Sequence, residues 1–91
     1  MKKLKNRVAL VTGASSGIGE GIAIAFAKEG ADVIVNYPDK AGERNIWDVE
    51  KAIKKAGRRA LVVKADVSDE RQVKRMVNKA LKEFGRIDIL V

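Results

Sequence analysis

A glycine-rich segment near the start of the chain carries the residue types and spacing best suited to chemistry. It runs from Thr12 to Gly19 with the sequence TGASSGIG, and it joins an apolar run to an amphipathic stretch. A helix N-terminus presents unsatisfied N–H groups and a partial positive charge, and glycines let an anion approach that backbone closely. Ser15 and Ser16 add hydroxyl donors. The segment predicts a phosphate-binding loop, because a tight turn alone accounts for only one or two of its three glycines.

The spacing of this loop distinguishes it from two other phosphate-binding motifs. A P-loop ends in Gly-Lys-Ser or Gly-Lys-Thr, whereas Glu20 follows Gly19 here, so ATP hydrolysis is disfavoured. The order of the glycines also differs from the G-x-G-x-x-G of the long-form dinucleotide-binding dehydrogenases.

Composition excludes several other kinds of site. The 91 residues include no cysteine and no histidine, which removes disulfides, cysteine-based metal sites and imidazole acid–base chemistry. We therefore expect no metal site. The N-terminal segment up to Val11 lacks the continuous apolar stretch of a signal peptide, and no window approaches membrane-spanning length, so a cytoplasmic location is expected.

The elements that position the loop follow from the apolar pattern. Four short apolar runs predict buried strands at Arg7–Thr12, Asp32–Tyr37, Ala60–Ala65 and Ile87–Val91. Helical periodicity lies between them, over about Gly17–Glu29, over about Ala41–Ala56, and along an apolar stripe from Val73 to Phe84. This alternation predicts one α/β domain over residues 1–91, with right-handed crossovers and a parallel sheet.

The predicted helix ends carry residues that are typical of helix caps. Gly30, Gly57 and Gly85 each follow a helical stretch, where a left-handed residue is favoured, and Ser68 occupies a predicted N-cap before the third helix.

The order Thr-Gly-x-x-x-Gly-x-Gly over Thr12 to Gly19 resembles the cofactor signature of the short-chain dehydrogenase/reductase family, and the resemblance covers essentially the whole chain. It implies the N-terminal part of a longer domain: a partial Rossmann fold whose four parallel strands lie in the order 3-2-1-4, with helices on both faces. Asp66 and Val67 match the family's adenine-contacting position, although a simple loop acid or helix-capping group is the alternative for Asp66. The ending from Gly85 to Val91 is similar to the segment that precedes the family's Asn-Asn-Ala-Gly stretch.

The resemblance implies NADP or NAD as cofactor. The family's NAD-type acid aligns with Tyr37 and its NADP-type basic residues align with Ser16 and Pro38, so neither signature is present. Asp39, Lys40 and Arg44 are compatible with either cofactor, and the missing acid favours NADP or dual use. The Asn-Tyr ending of the second run resembles glucose dehydrogenases and 3-oxoacyl-acyl-carrier-protein reductases. The predicted cofactor contacts are Gly13, Ser15, Ser16, Gly17, Ile18, Gly19, Tyr37, Pro38, Asp66 and Val67.

Catalysis in the family uses a tyrosine with a lysine four residues later, helped by serine and asparagine. Tyr37 is the only tyrosine and Ala41 stands four residues after it, so we assign no catalytic residue and expect Tyr37 at the rim of the adenosine pocket. The chain is interpreted as the dinucleotide-binding segment of an alcohol or ketone oxidoreductase, predicted to be inactive alone. A stand-alone nucleotide-binding module is the alternative.

Charge raises a third alternative. The net charge is +7, and Lys51 to Ala65 contains six basic residues and no acid, as a nucleic-acid patch would. A solvated helix face is favoured instead, because no aromatic residues are interleaved for base stacking. The apolar residues Ile89, Leu90 and Val91 on an edge strand predict a homo-oligomer.

Overall fold

The computed structural model describes residues 3–91, except for the side chain of Arg44. The strands are β1 (Val8–Val11), β2 (Asp32–Tyr37), β3 (Ala60–Lys64) and β4 (Ile89–Leu90). The helices are α1 (Gly17–Lys28), α2 (Lys40–Lys55) and α3 (Glu70–Phe84). Strands and helices alternate along the chain, as the apolar pattern predicts. No helix in this part of the chain is long and apolar enough to cross a membrane.

The four strands form one parallel sheet in the order β3-β2-β1-β4. Leu10 of β1 lies opposite both Ile34 of β2 and Leu90 of β4, and β1 and β2 are the central strands. This order and the parallel arrangement confirm the predicted fold class.

The sheet is covered on both faces because adjacent side chains along a strand point in opposite directions. Val11, Val33 and Val35 are buried in a core cluster with side chains from α1 and α2. Leu10 and Ile34 are buried in a second cluster with Met76 and Ala80 of α3. One face of the sheet therefore holds α1 and α2, and the other holds α3.

The last strand is shorter than the predicted range of residues 87–91. The carboxylate of Asp88 accepts a hydrogen bond from the N–H of Val8 at 2.8 Å, and the N–H of Asp88 donates to the carbonyl of Val8 at 2.8 Å. A side chain thus replaces the backbone acceptor at this point, and the regular pairing begins at Ile89. Arg86 binds the same carboxylate, with 2.6 Å between Nη2 and Oδ1.

The predicted cap of the third helix is wrong by one residue. Asp69 is the N-cap, because its carboxylate accepts a hydrogen bond from the N–H of Arg71 at 3.0 Å. The hydroxyl of Ser68 donates instead to Oδ1 of Asp66 at 2.7 Å. The predicted left-handed glycines are confirmed, with φ of 102°, 84° and 77° at Gly30, Gly57 and Gly85 respectively.

Candidate functional site

The candidate site lies at the edge of the sheet where the parallel strands end. The glycine loop follows β1, Pro38 follows β2, and Asp66 and Val67 lie just after β3. Since β2 and β4 flank β1 on opposite sides, the strand order reverses at β1. Ligands of open parallel sheets bind in the crevice at such a reversal, beyond the carboxyl ends of the strands.

The glycine loop folds closely on itself. Gly13 and Gly17 have φ of 59° and 54°, in the left-handed region that favours glycine. A Cβ atom added to Gly19 would overlap the backbone carbonyl of Gly13. Gly19 thus allows the first turn of α1 to lie against the start of the loop, a contact that any larger residue would prevent.

The first turn of α1 offers donors to a ligand. The N–H groups of Gly17, Ile18 and Gly19 have no acceptor within the helix, because the preceding residues are not helical. Ser16 is the N-cap with an extended backbone, makes no side-chain capping hydrogen bond and is exposed. Ile18 is 82% exposed. This turn combines accessible amides with the positive end of a helix dipole, which suits an anionic group.

The two loop serines occupy different environments. Ser15 is 7% exposed and lies against Gly42 of α2, where an added Cβ would be 2.5 Å from its Oγ atom. The hydroxyl of Ser15 therefore faces α2, whereas Ser16 is exposed. Contact of either residue with a cofactor stays a prediction.

Asn36 connects the segments of the site and was not identified from the sequence. It is 1% exposed, and its Oδ1 atom accepts a hydrogen bond from the N–H of Gly13 at 3.2 Å. Its Nδ2 atom donates to the carbonyls of Val63 and Ala65 at 3.3 and 3.0 Å. The backbone carbonyl of Asn36 also accepts from the N–H of Ala14 at 2.8 Å. The signal in the sequence is one amide within an apolar strand, one residue before the strand ends.

Tyr37 packs inward at the end of β2. It is 7% exposed and belongs to the core cluster formed with α1 and α2. Burial, and then the negative charge of Glu43, raise the pKa of its phenol. Its ring therefore supports the turn, and the exposed Pro38 directly follows it.

Asp66 organises the turn between β3 and α3. Its Oδ1 atom accepts hydrogen bonds from the N–H and the hydroxyl of Ser68, and both hold the pKa of the carboxyl below its usual value. The N–H of Asp66 donates to Oε1 of Gln72 at 2.8 Å. Asp66 and Val67 are both exposed beside the crevice. The geometry therefore gives Asp66 the role of a turn-forming acid and also leaves it accessible to a ligand.

An apolar cleft of about 300 Å³ lies on the α3 side of the strand reversal. Its wall includes Val67, Met76 and Leu90, and Thr12 stands at its edge. The hydroxyl of Thr12 donates to the carbonyl of Val91 at 2.8 Å, which ties the start of the glycine loop to β4.

Comparisons with known proteins agree with this geometry. The sequence model of the family described as short chain dehydrogenase matches residues 7–91. An uncharacterized oxidoreductase of Methylorubrum extorquens is 51% identical over 92 residues, covering 100% of this chain and 36% of the relative. A hydroxynaphthalene reductase-like protein of Metarhizium guizhouense is 46% identical over 90 residues, covering 99% of this chain and 33% of the relative.

Solved structures give the same result. A short-chain dehydrogenase/reductase of Serratia marcescens superposes with a TM-score of 0.88 at 38% sequence identity, covering 96% of this chain and 35% of that one. The chain therefore spans about a third of the length of the relatives it matches.

Proposed function

The chain belongs to the short-chain dehydrogenase/reductase family, and on that premise we propose that its glycine loop holds the pyrophosphate of NADP or NAD. The observation that carries the proposal is the first turn of α1, whose free amides lie at the carboxyl edge of the sheet where the strand order reverses. Gly17 and Gly19 add no side chain to this turn, and Gly13 adds none to the start of the loop. The proposed contacts on the loop are Gly13, Ser15, Ser16, Gly17, Ile18 and Gly19.

The adenosine half of the cofactor is assigned to the ends of β2 and β3. Pro38 and the backbone of Tyr37 would border the ribose, and Asp66 and Val67 would meet the adenine. Supporting this, Asp66 and Val67 are exposed beside the crevice, and the bonds that Asn36 makes hold Ala65 at a fixed position relative to Gly13.

We propose that NADP is accepted at least as well as NAD. A ribose 2′-hydroxyl is usually bound by an acid shortly after the second strand, whereas a 2′-phosphate is bound by basic groups. Asp39, the nearest acid after Tyr37, uses Oδ1 to accept from the N–H of Ala41 at 3.0 Å and caps α2. The exposed Lys40 follows it directly. This turn thus offers a 2′-phosphate a cation, while its acid already serves the helix.

The bound nicotinamide supplies the hydride acceptor or donor in this family. The residues of this chain bind and orient the dinucleotide, and none of them forms the tyrosine–lysine pair that moves the proton. We propose that a full-length relative transfers hydride between the cofactor and an alcohol or ketone, and that the 91-residue chain alone is inactive. A nucleotide-binding module without catalysis is the second candidate.

Nucleic-acid binding has less support. Within the basic stretch, Lys54 pairs with Glu50 at 3.7 Å and Arg58 pairs with Asp32 at 2.8 Å. Arg59 also lies 4.5 Å from the centre of the Phe84 ring, and this cation–π contact further engages the stretch. Several of these charges therefore already have partners within the described chain.

Titration of the purified chain with NADPH and NADH, followed by cofactor fluorescence, tests the proposal. Gly19→Ala should weaken binding by more than about tenfold, because the new methyl overlaps the carbonyl of Gly13. Gly21→Ala is the matched control, since a Cβ added there meets no atom within 4 Å. Equal binding by the two variants, or no binding by the wild-type chain, contradicts the proposal.

A further inference from the structure

The helix after the second strand reaches across to the glycine loop through one side chain. The Nδ2 atom of Asn45, in the second turn of α2, donates hydrogen bonds to the backbone carbonyl of Ser15 and to Oε1 of Glu20, the latter at 2.6 Å. Both partners are acceptors, so only the amide nitrogen can make these two contacts, and a carboxylate at this position could make neither.

The contact with Ser15 fixes a peptide plane within the loop. In a trans peptide the carbonyl of one residue and the N–H of the next point in opposite directions. Asn45 holds the carbonyl of Ser15 towards α2, so the N–H of Ser16 points away from it. Ser16 is the N-cap of α1, and its amide directly precedes the free amides of the first turn.

The contact with Glu20 positions a negative charge. Glu20 lies in the first turn of α1. Its carboxylate interacts favourably with the helix dipole there, but it would repel an anion bound at the same helix end. The hydrogen bond from Asn45 holds this carboxylate on the α2 side of the turn. The side-chain amide of Asn45 therefore orients the carbonyl of Ser15 and also holds the carboxylate of Glu20 beside α2.

The close approach of α2 that makes this possible depends on Gly42. An added Cβ at Gly42 would lie 2.5 Å from Oγ and 3.0 Å from Cβ of Ser15. Gly42 and Asn45 are three residues apart and share one face of the helix. Together they form the part of α2 that contacts the glycine loop.

We propose that Asn45 is a positioning residue for dinucleotide binding. It sets the orientation of the Ser15–Ser16 peptide and the position of the Glu20 carboxylate beside the first turn of α1. This inference rests on the proposed function. It also couples the two halves of the site, because α2 begins directly after the turn that we assign to the ribose.

Titration with NADPH of Asn45→Ala tests the inference, with Asn78→Ala as the matched control, since Asn78 is an exposed residue of α3. Asn45→Ala should bind about tenfold more weakly than Asn78→Ala. Amide hydrogen exchange of Ser16 to Ile18 without ligand should be faster in Asn45→Ala than in the wild-type chain. Equal affinity and equal exchange in the two variants overturn the inference.

A double variant separates positioning from simple stabilisation. In Asn45→Asp with Glu20→Gln, the new glutamine can donate to the new aspartate, which restores the contact between the helices, but a carboxylate then faces the carbonyl of Ser15. We expect the melting temperature to recover relative to Asn45→Asp alone while NADPH binding stays weak. Recovery of both quantities overturns the inference, and this variant also decides the matter if Asn45→Ala does not fold.

Failure of the proposed function remains distinguishable. If the wild-type chain does not bind NADPH, the proposed function fails. The exchange rates of Ser16 to Ile18 still decide whether Asn45 orders the loop.

Discussion

The buried side chain of Asn36 accepts a hydrogen bond from the backbone N–H of Gly13 at 3.2 Å, across the gap between β2 and the glycine loop. The same side chain donates to two carbonyls at the end of β3. One amide thus makes three hydrogen bonds that join three segments of the site. Its removal would break all three of these hydrogen bonds at once.

Asn36→Ala should lower the free energy of unfolding by about 2–4 kcal/mol, because the three hydrogen bonds from this buried side chain to Gly13, Val63 and Ala65 are lost. Urea denaturation measures the change. Asn78→Ala, on the exposed surface of α3, should alter stability by less than about 0.5 kcal/mol. Similar denaturation midpoints for the two variants would show that the network contributes nothing.

Gly42→Ala should destabilise the chain although alanine favours helices. Replacement of a helical glycine gains up to about 1 kcal/mol, and Gly21→Ala in α1 should show that gain. At Gly42 the new methyl meets Oγ of Ser15 at 2.5 Å, so α2 must move away from the loop. Thermal melting compares the variants, and Ser15→Ala should restore part of the loss in the Gly42→Ala background. A gain in stability at both glycines would refute the close contact.

Stability should fall in acid partly through Asp88. Hydrogen bonds from Arg86 and from the N–H of Val8 hold the pKa of this carboxyl below its usual value in the folded chain. A group with a lowered folded pKa contributes stability above its unfolded pKa of about 3.9, and this contribution is lost as the pH falls through the folded pKa. Asp88→Asn should therefore be less stable than the wild-type chain at pH 7, and the difference should shrink towards pH 2.

Urea denaturation at several pH values measures this convergence. Asp69 and Asp66 also have lowered pKa values, through hydrogen bonds from Gln72 and Ser68 respectively. The wild-type chain and Asp88→Asn should therefore both still lose stability in acid. A constant difference between wild-type and Asp88→Asn from pH 7 to pH 2 would contradict the assignment.

We predict that the chain self-associates through β4. Leu90 is 71% exposed on an edge strand, and beside it lies the apolar cleft that Val67, Val73 and Val77 help to line. Sedimentation velocity should detect a dimer or larger assembly, and Leu90→Lys should shift it towards the monomer. Leu81→Lys is the matched control, because Leu81 is an exposed leucine of α3. A wild-type chain that is monomeric at high concentration would contradict the prediction.

Much of this fold follows from local pattern. Apolar runs such as Asp32–Tyr37 alternate with helical stripes, and such a sequence has few arrangements other than a parallel sheet covered on both faces. The conformation of the glycine loop could be predicted for the same reason, since it depends on residues that are adjacent in the chain.

The supporting amides could not be predicted, because their roles depend on distances between segments. Asn36 and Asn45 each act on residues more than 20 positions away. The apolar run around Asn36 indicates that it is buried but not which groups it binds, and Asn45 is indistinguishable in the sequence from an exposed asparagine such as Asn78. Ser68 and Asp69 are both good N-cap residues, and only the folded turn at Asp66 decides between them.

The close packing of α2 on Ser15 has a consequence for protein engineering. On the proposed function, a designer who wishes to change the preference between NAD and NADP would alter the turn at Pro38 and Lys40 and leave the glycine loop unchanged. Because Gly42 lies directly against Ser15, a change that tilts the start of α2 would also displace the glycine loop. Libraries that randomise the turn should therefore retain Gly42 and Asn45, or vary Ser15 together with them.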